Sequence, residues 1–366
     1  MKQIYDLIKR DPLKLTEHQR MAVDNCIAIY KVGSHLYGTS TPKSDVDLEG
    51  LFIEPPEYVL GCKRCDEVDF STGDAKHRNT KDDMDLKLYS LRKFFNLAAQ
   101  NNPNKVEQYF IPEECILYKN KKYWDQIIDA KSLFLSKKLK HSFHGYAYSQ
   151  KHKLMGKKKR LDEFREFKEV LEQGIAEGKQ IIGELDLVDV VYHKVYDKQT
   201  DKVVKMPQKI MKKKFEYIKY HPNKEGSDAI KVDTKIFNYG MSIQSIYERV
   251  KAQINAYGHR TASLDEHSFD PKFASHIFRL IDEGVQLLRT GALIFPCPNA
   301  DFQRDVKLGK YDLDCLLKKI EEYEPLLEKA YEESTLQYAP QHEKISKLQV
   351  KIILEYWKCS IGRVLF

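Results

Sequence analysis

The hydrophobic pattern along the chain changes period once, near residue 131. In the N-terminal part, residues 16–26 carry apolar positions at helical spacing behind a capping Thr16. Residues 27–32 form a nearly unbroken apolar run, which predicts a buried strand ending on Gly33-Ser34. A polar loop with Thr39, Ser40, Thr41, Pro42 and Lys43 leads into residues 45–53, where acid and apolar positions alternate before the run turns fully apolar. That pattern predicts a strand with one end at a polar site. Pro55 and Pro56 stop it, and a charged loop is expected up to about residue 81. Residues 84–89 alternate again, and 91–100 have a helical period closed by Asn101-Asn102-Pro103. Beyond residue 131 the periods are long and helical, at 161–181, 242–257, 271–288, 313–334 and 342–357. The break at 185–233, rich in β-formers such as Val188, Val190, Val191 and Tyr192, predicts a hairpin or irregular insert. We therefore expect an α+β chain with a small mixed-sheet domain over 1–120, then a mostly helical domain over 131–366. The closing apolar stripe of Leu348, Ile352, Ile353, Tyr356 and Trp357 is expected to complete the helical domain.

Composition narrows the class. Hydrophobic residues make up 42% and charged residues 31% of 366 residues, enough for packed cores and against a disordered chain. No run approaches the roughly 20 apolar residues of a membrane span, and residues 1–6 lack a signal peptide's apolar stretch, so a cytoplasmic protein is expected. Seven cysteines at irregular spacing argue against a disulfide framework. Cys62 and Cys65 form a CxxC pair without a partner pair at zinc-finger spacing, so two loop thiols are the expectation there. The net charge of +7 is unevenly spread: residues 131–161 hold ten Lys or Arg and no acid, and residues 202–224 hold eight Lys against Glu216. Such runs attract phosphates, although a solvated surface looks the same.

The candidate chemistry lies where the strand meets the polar end. Asp45 and Asp47 are two residues apart and so project from one strand face. Two carboxylates side by side repel each other unless a cation sits between them, and magnesium is commonly held by one or two carboxylates plus substrate phosphates. Twelve residues before Asp45, Gly33 permits a sharp backbone turn, and Ser34 offers an amide and a hydroxyl at an expected helix N-terminus.

This string, Gly33-Ser34 followed by Asp45-Val46-Asp47, resembles the signature of the DNA polymerase β superfamily of nucleotidyltransferases. The resemblance implies a third carboxylate on a neighbouring strand at Asp85, with Asp83 as the alternative. It also implies two magnesium ions, replaceable by manganese, on Asp45, Asp47 and Asp85. Residues 89–94 (Tyr89-Ser90-Leu91-Arg92-Lys93-Phe94), Asn102-Pro103, residues 143–150, residues 272–280 and residues 287–291 are similar to the RlaP-like branch assigned to RNA repair. Lys272, His276 and Arg279 fall at i, i+4 and i+7, one helical face, and are expected together with Gly33 and Ser34 to hold the nucleotide; a solvated stripe is the competing reading. Tyr146 is read equally as a base-stacking ring or a core residue, and His35 and Tyr37 as lining the site or packing beneath it.

The activity so implied is transfer of a nucleoside monophosphate from a triphosphate to an acceptor hydroxyl, foremost an RNA (tRNA-like) 3′ end, with no obligate protein partner and no membrane. AMP transfer to a protein or small molecule is the alternative, and a non-catalytic nucleotide or RNA binder is a third reading. The first two separate on whether the basic run at 131–161 lines the cleft beside Asp45.

Overall fold

A computed structural model of the chain describes residues 14–42, 44–71, 84–197, 202–222, 227–258 and 260–361. Lys43, Asp82, the alternative Asp83 and residues 1–6 lie outside the described residues. The order is α1 (Glu17–Asp24), β1 (Cys26–Lys31), α2 (Gly33–Tyr37), β2 (Val46–Phe52), β3 (Glu67–Ser71), β4 (Met84–Ser90), α3 (Leu91–Ala99), β5 (Ile116–Lys119) and α4 (Lys121–Asp129). There follow α5 (Leu139–Ala176), β6 (Val188–Asp197), β7 (Lys202–Met211), β8 (Ile218–Tyr220), β9 (Ala229–Val232), β10 (Lys235–Asn238) and α6 (Ile243–Asn255). The chain closes with α7 (Arg260–His267), α8 (Pro271–Thr290), α9 (Ala300–Lys307), α10 (Leu313–Glu333) and α11 (His342–Ile361), with single helical turns between elements.

The α+β class holds. A five-stranded sheet runs in the order β3-β4-β2-β1-β5, with β2 and β4 parallel and the other neighbours antiparallel. Thr16 opens α1 in a capping box with Gln19, each side chain receiving the other's backbone N–H. Ser90 ends β4 and caps α3 through Lys93 N at 3.1 Å, so strand and helix are joined without a loop. Because strand side chains alternate, β1 and β2 feed two cores. Ile27, Tyr30, Leu51 and Ile53 pack on one side with Phe94, Phe95 and Trp124. Ile29, Leu48 and Phe52 pack on the other with Val23, Tyr58, Phe70 and Leu88.

β3 lies within the charged stretch expected as a loop: only Val68 and Phe70 point inward, too short a period to stand out among charges. Helix α5 is also longer than the expected 161–181. Its early apolar positions, Phe143, Ala147, Leu154 and Leu161, share one buried stripe, but the lysines and histidines between them mask the period.

The chain separates into two compact units, residues 1–151 with 271–366, and residues 152–270. This differs from a sheet domain over 1–120 followed by a helical domain over 131–366. The reason lies in the closing helices: Ile345, Ile352 and Ile353 of α11 join the core of Ile27, Phe94 and Trp124, and Trp357 Nε1 donates to Glu54 O at 2.9 Å. The apolar stripe of α11 therefore covers the sheet unit. In the other unit, Phe164, Phe167 and Leu171 of α5 pack with Ile218, Ile230, Val232 and Phe237 of β8–β10 and with Ile243, Ile246 and Val250 of α6. The insert expected at 185–233 is thus part of a larger unit with its own core, and β6–β7 is a separate two-stranded hairpin in it.

Candidate active site

The register of the sheet assembles the acids. β2 and β4 run parallel with Asp47 directly beside Asp85, and Asp45 precedes Asp47 by two residues, so all three reach the same face. One oxygen from each lies within 4.8 Å of the others. Burial, followed by the charge of Asp45, raises the Asp47 carboxyl above its ordinary value; Lys272 counteracts this and Asp85 adds to it. Three carboxylates this close carry a mutual repulsion that a divalent cation relieves, and an all-oxygen donor set suits magnesium or manganese. Among the described residues no other group of His, Cys, Asp or Glu has ligand spacing; Cys62 is exposed and Cys65 buried, with the Cys65 thiol pushed up to about 11 chiefly by burial.

Gly33 begins α2 with φ of 64°, and a Cβ there would stand 2.4 Å from Asp47 Oδ2. The acid can approach the turn only because residue 33 has no side chain. Val32 N donates to Asp47 O at 3.0 Å, locking the two strand ends together. Gly33→Ala is expected to cost about 1–2 kcal/mol of stability from the left-handed conformation alone, and to displace Asp47 so that catalysis falls at least about tenfold. Urea unfolding and a transfer assay on the same preparation check both; an unchanged transfer rate would show that Asp47 need not be held against the turn.

A pocket beside the acids is lined by Gly33, Ser34, Asp45, Asp47, Lys272, His276 and Arg279, with Tyr37, Thr39, Gln303 and Lys307 among its other walls. Counting its share of open solvent, the space between these walls measures about 530 Å³. Lys307 and Gln303 carry no motif and stand on a helix of eight residues, so nothing in the local sequence singles them out. The Lys307 ammonium is pushed down by burial and then by Lys272, against the opposing pull of Asp45 and Asp47.

Residues 9–170 match the family described as RlaP, RNA repair pathway DNA polymerase beta family. This segment is thus similar to the RlaP family. A relative is the "Uncharacterized 38.9 kDa protein in nrdC-mobD intergenic region" of Enterobacteria phage T4, 29% identical over 339 residues that cover 91% of this chain and 94% of the phage protein. No solved structure matches. The RlaP segment contains Gly33, Ser34, Asp45, Asp47 and Asp85, whereas Lys272, His276, Arg279, Gln303 and Lys307 lie outside it and are brought to it by the fold. The family is one of polymerase β-like nucleotidyltransferases.

Two links fix these outer residues to the RlaP segment. Cys297 N donates to Tyr37 O at 3.0 Å and Arg304 to Gly38 O at 3.2 Å, seating α2 against the start of α9, where Leu36 and Tyr37 pack with Cys297 and Ala300. The second is a buried charge cluster. Arg279 Nη1 donates to Glu107 at 3.0 Å and to Glu283 at 2.9 Å, and the guanidinium lies 4.2 Å from the Tyr37 ring centre. Tyr37 OH donates to Glu107 at 3.0 Å. Burial opposes the Arg279 charge, but Glu283, Tyr37 and Glu107 hold it well above its ordinary value. Burial pushes Glu283 up to about 8 despite Arg279.

The expected helical face is therefore present, with Lys272, His276 and Arg279 on one pocket wall, yet it is not a solvated stripe: Arg279 is buried and its Nη1 is held by two carboxylates. Its Nε, like Gln303 Oε1, is buried without a protein hydrogen-bond partner. Tyr37 packs under the turn and reaches the wall at once. Tyr146 is not a core residue; it is half-exposed, accepts a hydrogen bond from Asn102 Nδ2 at 2.6 Å and does not line this pocket.

Part of each basic run pairs within the chain. Lys140 and Lys151 pair with Glu328 and Glu324 of α10, and Lys131 and Lys137 sit over the rings of Phe110 and Tyr331. In the second unit Lys158 pairs with Asp265, Lys159 with Glu216, and Lys212 and Lys213 with Asp186 and Glu166. Within the first unit, no residue of 131–151 lines the pocket beside Asp45. No helix among the described residues is long and apolar enough to cross a membrane.

Proposed function

We propose that the chain transfers a nucleoside monophosphate from a nucleoside triphosphate to the 3′ hydroxyl of an RNA, releasing pyrophosphate. The observation that carries this reading is the convergence of Asp45, Asp47 and Asp85 within 4.8 Å beside Gly33-Ser34. The three carboxylates would hold magnesium or manganese, which when bound supplies charge neutralisation at the attacking and leaving oxygens. Ser34, Lys272, Lys307 and His276 line the same pocket, and the amide of Ser34 and the ammonium groups of the two lysines suit phosphates. In the transfer, the acceptor oxygen bonds to the α-phosphorus, the bond from that phosphorus to the bridging oxygen of the β-phosphate breaks, and the hydroxyl proton leaves to Asp85 or solvent. Asp85 is the most exposed of the three acids, which suits it to take a proton from an incoming acceptor. The protein's share is positioning and charge, which is where such reactions gain most.

RNA as acceptor is supported by the repair description of the matched family. Transfer of AMP to a protein or small-molecule hydroxyl is the second reading, favoured by one observation: residues 131–151, the part of the basic run in the same unit as the acids, are absent from the pocket wall, and Lys140 and Lys151 are paired with Glu328 and Glu324. The test is incubation with magnesium and each α-labelled triphosphate against tRNA, nicked RNA, DNA and cell protein, beside a double Asp45→Ala, Asp47→Ala control. Label on an RNA end, lost in the control, is the expected result. Label on protein moves the chain to the second reading, and label on nothing refutes transfer under these conditions.

A further inference from the structure

The β6–β7 hairpin carries an arrangement that neither its own stability nor the active site accounts for. Its strands pair from Val188↔Met211 to Asp197↔Lys202 without a bulge, so the two faces separate cleanly by alternation. One face presents Val190, Tyr192, Lys194 and Tyr196 from β6 and Val203, Lys205, Pro207 and Lys209 from β7. Tyr192 is 66% and Tyr196 57% exposed, far above what a tyrosine recruited for packing retains. Among the described side chains this face holds three lysines and no acid, while Asp189, His193 and Gln208 lie on the other.

Lysines on an exposed strand also guard against edge pairing, and β-branched or aromatic residues stabilise an isolated ribbon. Neither role explains the register. Lys194 stands directly opposite Lys205, a like-charge cross-strand pair that weakens the ribbon, with Tyr192 and Tyr196 flanking it on the same face. A ligand that is at once polyanionic and offers flat apolar rings at a spacing of about two strand residues relieves the repulsion and covers both tyrosines. A single nucleic-acid strand has that chemistry, and a duplex does not, because its base faces are stacked away.

We propose that this face of the β6–β7 hairpin is a binding platform for single-stranded RNA, with Tyr192 and Tyr196 stacking on bases and Lys194 and Lys205 contacting phosphates. The choice of RNA over DNA rests on the acceptor proposed above; the platform itself does not depend on transfer.

The experiment is fluorescence anisotropy of the full chain with a labelled, unstructured single-stranded RNA over graded potassium chloride, without triphosphate or divalent ion. Tyr192→Ala with Tyr196→Ala is expected to weaken binding at least about fivefold. Lys194→Gln with Lys205→Gln is expected to reduce the slope of log affinity against log salt by about 1.4. Met206→Ala, on the opposite face, should bind as the parent does. Unchanged affinity in both double variants overturns the platform, as does an equal loss by the tyrosine variant on a duplex, or tighter binding of single-stranded DNA than of RNA. Because no turnover is involved, a failure of RNA labelling leaves this result standing, and normal binding by the variants of a chain that does label RNA removes the platform alone.

Discussion

Asp47→Asn should lower nucleotidyl transfer by at least about 10³-fold, the scale seen when a preorganised electrostatic group is removed from a reacting centre. The substitution keeps the volume of the side chain and its place beside Asp85 in the β2–β4 register, so the loss cannot be assigned to packing. What it removes is one of three carboxylates whose oxygens lie within 4.8 Å of one another, and one whose charge both burial and Asp45 disfavour. Two consequences follow that a merely structural residue would not produce. Without divalent ions the variant should be as stable as the parent or slightly more so, because a like-charge repulsion is gone. With magnesium added, the parent's thermal midpoint should rise by mass action and the variant's should not. Scanning calorimetry with and without magnesium, beside the labelling assay, reads both; a variant that keeps its transfer rate removes Asp47 from the proposed metal site.

Arg279→Met should cost about 3–5 kcal/mol of folding stability, the usual consequence of leaving a buried charge without its partner. The guanidinium holds Glu107 and Glu283, both nearly inaccessible, and among the described residues no other ion pair reaches either acid. With methionine the two carboxyls must take up protons or repel each other. The damage should extend to the active site, since Glu107 also receives Tyr37 OH from α2, the helix that opens on Gly33. Arg279→Lys retains a charge but not the planar fork and should recover only part of the loss. Urea unfolding of the three proteins checks this. A loss under about 1 kcal/mol for the methionine variant would mean that the cluster is already neutralised by protonation of its acids.

Arg279 also shows how a correct pattern can carry an incomplete meaning. Its place at i+7 from Lys272 is legible, and the pocket wall indeed holds both. The sequence offers no sign that Glu107, in a short turn far along the chain, closes on it, because pairing over 172 residues leaves no periodic trace. The same holds for Lys307 and Gln303, which enter the site on a short helix without a motif, and for α11, whose apolar stripe is plain while the surface it covers is not.

The features legible in residue order are local: the apolar β1 run into Gly33-Ser34, the alternation that aims Asp45 and Asp47 to one face, the Thr16 cap, and the helical periods of the second half. These follow from side-chain periods of 2 and 3.6, which act between near neighbours and are written in residue order. It took the folded chain to show that Asp85 lies level with Asp47, that α8 and α9 bring Lys272 and Lys307 beside the acids, that at least six of the ten basic residues at 131–161 pair with the chain's own carboxylates, and that residues 152–270 form a unit of their own. Sheet register, long-range ion pairing and the choice of which apolar faces meet are set by the mutual exclusion of water from whole surfaces, and no short stretch of sequence specifies its partner in that process.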